Sequence, residues 1–219
     1  MPTTTRAVID SLLHSFSKAE RHEQPYRHWF LADCLPGEAL PEIAALPFEA
    51  PSLGGVSGKR EVHNATRKYF DAENRAKHGV VAAVAEGLQS QTVTDAVKEK
   101  FGTDIAGSYL RIEFAQDTDG FWLEPHTDLG VKLFTFLLYL SDDPRHGDLG
   151  TDIYDADKKF VGRSPFTVNG AMIFIPSNNT FHGFEPRTIP GVRKSLIINY
   201  VTNEWRAREQ LAFPDQPVK

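Results

Sequence analysis

His126-Thr127-Asp128, His182 far downstream, and Arg193-Lys194-Ser195 are the residues of this chain whose types and spacing can do chemistry together. In an extended segment residues i and i+2 point the same way, so His126 and Asp128 can converge on one ion from a single strand end. The third ligand must come from another strand, and His182, in the polar turn Asn178-Asn179-Thr180-Phe181-His182-Gly183, is a source for it. Two imidazoles and one carboxylate hold one face of a metal and leave the other open, which suits Fe(II) and oxygen chemistry. An Arg and a Ser at alternate positions of the next strand can grip the far carboxylate of a chelating co-substrate. The pattern points to an enzyme.

A second His-x-Asp, His146-Gly147-Asp148, competes for the ligand role. It lies among turn formers and acids from Asp142 to Gly150, so a solvated loop is expected there rather than a rigid ligand strand. The acids do not follow the spacing of a calcium loop. His146 is set aside as a ligand.

The elements that must position these groups change character along the chain. Thr4 or Thr5 can cap a first helix to about Ser17, with Val8, Leu12, Leu13 and Phe16 on one stripe. A short strand over Tyr26 to Ala32 and a short helix over Glu38 to Leu46 follow. Ala50 to Lys59, rich in Gly and Pro, reads as a loop. Asp71 to Leu88 and Thr92 to Phe101 are predicted helices, the second stopped by Gly102. After Gly107 the period becomes that of strands: Tyr109 to Phe114, Phe121 to Leu123, Leu133 to Leu140, Asp152 to Tyr154, Phe166 to Val168, Ala171 to Ile175 and Ser195 to Val201. Leu133 to Leu140 is apolar on both faces, as a central covered strand would be. Many short strands in succession imply a sandwich or closed barrel, mainly β with flanking helices (α+β). A single domain over 1–219 is expected, with a helical and loop part over 1–104 buttressing a β core over 105–205.

The whole-chain numbers narrow the classes. A net charge of −5 disfavours nucleic acid or an anionic membrane as the main partner. Cys34, the lone cysteine, cannot form an internal disulfide, which fits a cytoplasmic location. The first residues lead into an amphipathic stretch rather than an apolar signal core. No apolar run approaches the length of a membrane span.

With these residues placed, the region from Tyr109 to Val201 resembles the Fe(II)/2-oxoglutarate-dependent oxygenases, most closely their prolyl-4-hydroxylase-like branch. The likeness is carried by Pro125-His126-Thr127-Asp128, by Leu137-Leu138-Tyr139-Leu140-Ser141 and by the turn Gly147-Asp148-Leu149-Gly150-Thr151. His182-Gly183 followed by Arg193-Lys194-Ser195-Leu196 completes it. The resemblance implies a double-stranded β-helix (jelly roll, cupin-like) with Fe(II) held by His126, Asp128 and His182 at its open end. It implies 2-oxoglutarate and O2 as co-substrates, decarboxylation to succinate and CO2, and hydroxylation of an unactivated C–H. Arg193 and Ser195 would bind 2-oxoglutarate, with Tyr109, Thr135, Tyr139 and Arg111 as further candidates for its carboxylates. Prolyl hydroxylases of this branch usually carry Lys where this chain has Arg193, which puts prolyl specificity in doubt. A guanidinium matches a carboxylate at two points better than an ammonium does, so co-substrate binding survives the change.

The expected substrate is an amino-acid-like polar small molecule or a peptide side chain. Glycines at 54, 55 and 58 beside a cationic polar segment suit a closing lid over 51–69, with Asn64, Arg67 and Arg111 reaching the substrate. Two other readings remain open. A nucleic-acid demethylase of the same superfamily would carry Arg-x-Asn-x-Thr-x-Arg where this chain has Arg193, Ser195, Ile197 and Asn199. A cupin-like isomerase or binding module would leave the Arg-x-Ser pair unexplained.

Overall fold

Thr4 stands extended before the first helix, and its hydroxyl accepts from the Ala7 backbone N–H, so α1 (Thr5–Ser17) starts where a hydroxyl can satisfy an orphan donor. The computed structural model describes residues 1–50, 67–128 and 130–219. The lid expectation therefore falls, up to residue 66 and with Asn64, outside the described residues.

Four more α-helices follow among the described residues: α2 (Ala39–Ala44), α3 (Ala72–Lys77), α4 (Gly79–Gln89) and α5 (Gln91–Phe101). The single helix expected over Asp71 to Leu88 is two. Asp71 caps α3 by accepting from the Asn74 N–H, and His78 then turns extended before Gly79 begins α4. Gly87 lets α4 approach α1 closely, since a Cβ there would stand 2.6 Å from Val8 Cγ1. Gly102, in the left-handed region at φ 77°, ends α5 as predicted.

Eleven strands are described: β1 (Glu20–His22), β2 (His28–Leu31), β3 (Lys68–Tyr69), β4 (Tyr109–Thr118), β5 (Leu123–His126), β6 (Lys132–Tyr139), β7 (Asp152–Tyr154), β8 (Phe160–Arg163), β9 (Ala171–Phe174), β10 (His182–Phe184) and β11 (Val192–Val201). They form a large sheet in the order β1-β2-β9-β6-β11-β4-β3 and a small one in the order β5-β10-β7-β8. Every pairing is antiparallel, and from β4 onward the chain passes back and forth between the sheets, with only the hairpin β7–β8 staying in the small one, in the winding of a double-stranded β-helix.

Alternation divides the core. Leu110, Ile112 and Phe114 of β4 and Leu196, Ile198 and Tyr200 of β11 face the helices and join Val8, Leu12 and Val84 in one cluster. The opposite faces supply Leu137, Met172 and Phe174 to a second cluster between the sheets, with Ile153 and Phe184 from the small sheet. The expected strand over Phe166 to Val168 does not form. Pro165 lacks an N–H to pair, Asn169 turns left-handed at φ 62°, and Phe166 instead fills the core from a loop. The strand lies earlier, at β8, paired to β7. Among the described residues no helix is long and apolar enough to cross a membrane.

Candidate metal centre and its cavity

His126 ends β5, and His182 opens β10 directly opposite it in the register. Sequence reading put His182 in a polar turn. It is instead a strand residue, buried between β5 and β7. The two imidazole centroids lie 4.3 Å apart. Asp128 follows two residues after His126, and one ligand atom from each of the three lies within 4.8 Å of the others. This is the one such cluster among the described residues.

The backbone sets which nitrogens face the ion. His126 Nδ1 lies 2.9 Å from the Glu124 carbonyl and His182 Nδ1 lies 3.0 Å from the Thr180 carbonyl. A carbonyl only accepts, so each Nδ1 carries the proton and donates, and each Nε2 is left as a lone-pair ligand. Burial, and then the neighbouring His126, push the His182 pKa down to about 3. It is therefore a neutral ligand throughout the ordinary pH range. Gly183 holds the strands together, because a Cβ there would meet the Leu123 carbonyl oxygen at 2.7 Å. Two imidazoles of fixed tautomer and a carboxylate fit a divalent Fe, and with no further ligand among the described residues they leave positions for co-substrates.

That depressed pKa has a thermodynamic consequence. Below pH 6.5 the unfolded chain protonates this imidazole while the folded chain resists until about pH 3, so the unfolded state binds more protons. Stability of the metal-free protein should fall on acidification, by up to about 1.4 kcal/mol per pH unit across that window. Burial lowers the His28 pKa as well, adding a slope of the same sign. Thermal unfolding of chelator-treated protein at pH 7, 6 and 5 measures it; a melting temperature that rises toward pH 5 would contradict the assignment.

Asp128 accepts at both oxygens. Thr135 Oγ1 donates to Oδ2 at 2.5 Å, and the Lys132 ammonium pairs with Oδ1. Thr135, a candidate for the co-substrate, lines the same cavity and gives its hydroxyl proton to Asp128. Lys132, one helical turn's spacing from Asp128 in sequence but on a strand, was not anticipated at all.

The same cavity that exposes His126, Asp128 and His182 is lined by Arg193 and Ser195. Arg193 Nε donates to the Leu149 carbonyl at 2.7 Å, Nη1 donates to Asp117 Oδ2 at 2.6 Å, and the guanidinium lies 4.8 Å from the Phe184 ring centre. Nη2 donates to no described residue. Asp117 was missed because the predicted strand stopped at Phe114. Carried three residues further, the alternation of β4 places Asp117 exactly across from Arg193. Two further cations near Arg193 in the sequence do not line the cavity. Arg187 is held by Asp152 and the Gly150 carbonyl, and Lys194 lies on the other parity of β11.

Tyr139 lines the cavity with its ring, while its hydroxyl is bound to Thr151 Oγ1 at 2.9 Å and Ser164 Oγ at 2.5 Å. Tyr109 does not line it. On β4 it sits eight residues from Asp117, roughly 27 Å at strand rise, with Arg208 stacked on its ring at 3.9 Å. Arg111 is also away from the cavity lining, buried and bonded to Glu113, Gln210, Asn199 and Tyr69. Arg67 does line the cavity and pairs with the buried Glu113.

His146 is no ligand, although its surroundings differ from the solvated loop expected. It is buried at the end of a 3-10 turn, with Nε2 2.7 Å from the Pro190 carbonyl. The Gly147 to Thr151 turn is tightened by Gly150, where a Cβ would strike the Ser164 carbonyl oxygen.

No protein-family model matches the chain, and no curated protein matches it. Solved structures do. A prolyl-4-hydroxylase from Pseudomonas putida superposes with a TM-score of 0.56 at 15% identity, over 91% of this chain and 95% of that one. A prolyl 4-hydroxylase from Phytophthora capsici gives 0.60 at 13% identity, over 94% and 68%. A Trichoplax adhaerens prolyl hydroxylase, in complex with a peptide fragment of the hypoxia inducible factor oxygen degradation domain, gives 0.57 at 13% identity, over 93% and 91%. The chain has the double-stranded β-helix fold of these oxygenases.

Proposed function

We propose that this chain is an Fe(II)- and 2-oxoglutarate-dependent oxygenase that hydroxylates a C–H of a polar, amino-acid-like small molecule or a peptide side chain. The observation that carries the reading is the convergence of two Nε2 atoms and one Asp carboxylate in a cavity that also holds Arg193 and Ser195. Bound there, Fe(II) would supply activation of O2, coupled to decarboxylation of the keto acid. His126, Asp128 and His182 would hold the metal. Arg193 Nη2 and Ser195 Oγ would receive the distal carboxylate of 2-oxoglutarate. Phe121, Leu137, Phe184 and Ile197 form apolar walls that limit water around the reacting groups. Arg67, at the cavity wall, is the described residue we assign to contact with the primary substrate. The peptide seen on the Trichoplax enzyme supports a peptide among the substrates to be tried. Succinate formation, screened against amino acids and short peptides, tests the reading; a dependence on Fe(II) without any dependence on 2-oxoglutarate would sink it.

Asp117 tempers co-substrate affinity, because an incoming carboxylate must share Arg193 with it. Asp117→Asn keeps the shape and removes the competing charge. The apparent affinity for 2-oxoglutarate should tighten by about 1–2 kcal/mol, roughly five- to thirtyfold. Isothermal titration with a divalent metal in place measures this, and weaker binding in the variant would show that Asp117 instead aims Arg193 productively.

A further inference from the structure

Asn199 lies wholly buried on β11, facing the interior of the barrel, and takes no part in the chemistry assigned above. Its side chain is nevertheless the middle of a continuous polar chain that ends on the metal carboxylate. Arg111 Nη1 donates to Asn199 Oδ1 at 3.3 Å. Asn199 Nδ2 donates to Thr135 Oγ1 at 3.0 Å, and Thr135 Oγ1 donates to Asp128 Oδ2 at 2.5 Å.

The direction of every bond in this chain is forced from its far end. A guanidinium donates and never accepts, so the group of Asn199 facing Arg111 must be the carbonyl oxygen. The amide nitrogen then has to face Thr135. A hydroxyl that receives an N–H on its oxygen has its single proton to give elsewhere, and the nearest acceptor is Asp128 Oδ2. Arg111 is itself held rigidly, by Glu113 at 2.6 Å and Gln210 at 2.9 Å, and its guanidinium sits 5.0 Å from the Trp205 ring centre. The polarity is therefore set by buried, fixed groups.

We propose that Asn199 is a positioning residue for the metal site: through Thr135 it holds Asp128 Oδ2 as a hydrogen-bond acceptor and so fixes the orientation in which the carboxylate meets the cation. The inference rests on the metal-site reading proposed above. It accounts for a buried Asn, a buried Thr and a buried Arg aligned on three neighbouring strands, β6, β11 and β4, where apolar residues would otherwise pack. A carboxylate fixed at one oxygen gives up less freedom on binding a metal, and removing such partners typically costs 10- to 100-fold in metal affinity.

The test is a double-mutant cycle read in metal affinity, using Co(II) titrated spectroscopically into apo protein. Thr135→Val should weaken Co(II) binding roughly 10- to 100-fold. Thr135→Ser should restore it to within about threefold of the parent, since only the hydroxyl is required. Asn199→Leu should weaken binding less, roughly three- to tenfold, because the Thr135 hydroxyl then keeps its partner but loses its fixed direction. The deciding result is the combination: in the Thr135→Val background, Asn199→Leu should have no further effect on Co(II) affinity. Equal Asn199 effects in both backgrounds, or a Thr135→Val affinity within threefold of the parent, would overturn the proposal. Should Asn199→Leu fail to fold by circular dichroism, Asn199→Ser carries the same cycle. A parent protein that binds no Co(II) at one equivalent would instead refute the metal-site reading itself.

Discussion

His182→Ala is expected to lose metal binding by well over a hundredfold and to abolish 2-oxoglutarate consumption with it. His182 supplies one of three protein ligands, so its loss exceeds the 10- to 100-fold typical of a supporting residue alone. His126→Ala and Asp128→Ala should behave alike, because the three ligand atoms lie within 4.8 Å of one another and none has a substitute among the described residues. His146→Ala is the informative contrast. That imidazole is buried with its Nε2 on the Pro190 carbonyl, so its removal should cost about 1–3 kcal/mol of stability. Metal affinity should remain unchanged. Metal titration and thermal unfolding, run on both variants, separate the two losses. If His146→Ala lowered metal affinity as much as His182→Ala does, the ligand set would be wrong.

Removal of the Arg193 guanidinium should have the second largest effect. Charge-assisted pairs in a partly buried site are worth on the order of 2–5 kcal/mol, so Arg193→Met should raise the KM for 2-oxoglutarate by well over tenfold. Metal affinity should stay within a fewfold of the parent, since Arg193 touches no metal ligand. The variant leaves Asp117 as an uncompensated buried carboxylate, which is destabilising in itself. Arg193→Met combined with Asp117→Asn removes that complication, and its KM for 2-oxoglutarate should remain high although stability recovers. Recovery of the parent KM in the double variant would transfer the role away from Arg193.

The candidate ligand cluster was legible in the sequence because it depends on local parity and on residue type. His126 and Asp128 share a face by alternation alone, and Arg193 and Ser195 do the same on β11. The helix ends were legible where a side chain or a glycine fixes them, at Thr4 and at Gly102. The features that escaped are those decided by partners distant in sequence. A three-residue strand such as His182–Phe184 exists because β5 and β7 flank it, and nothing local distinguishes it from a turn. Thr135 lines the cavity, yet which way its hydroxyl points depends on what Asn199, sixty-four positions later, does with its amide. Tyr109 and Arg111 share the inward parity of β4 with Asp117, but parity says nothing of depth along the strand. Only Asp117 reaches the cavity. The helix break at His78 had a local signal, Gly79, which the strong apolar period across it concealed.

The central claim, that one cavity holds Fe(II) and 2-oxoglutarate together, can be tested without knowing the primary substrate. Fe(II) is added to the apo protein under strict exclusion of oxygen, and 2-oxoglutarate is then titrated while the visible absorption is followed. The account predicts a charge-transfer band that saturates at one equivalent of iron, requires both components, and is absent from His182→Ala. Its appearance should demand much higher 2-oxoglutarate concentrations in Arg193→Met. A parent protein that binds Fe(II) yet shows no band at saturating 2-oxoglutarate would contradict the account.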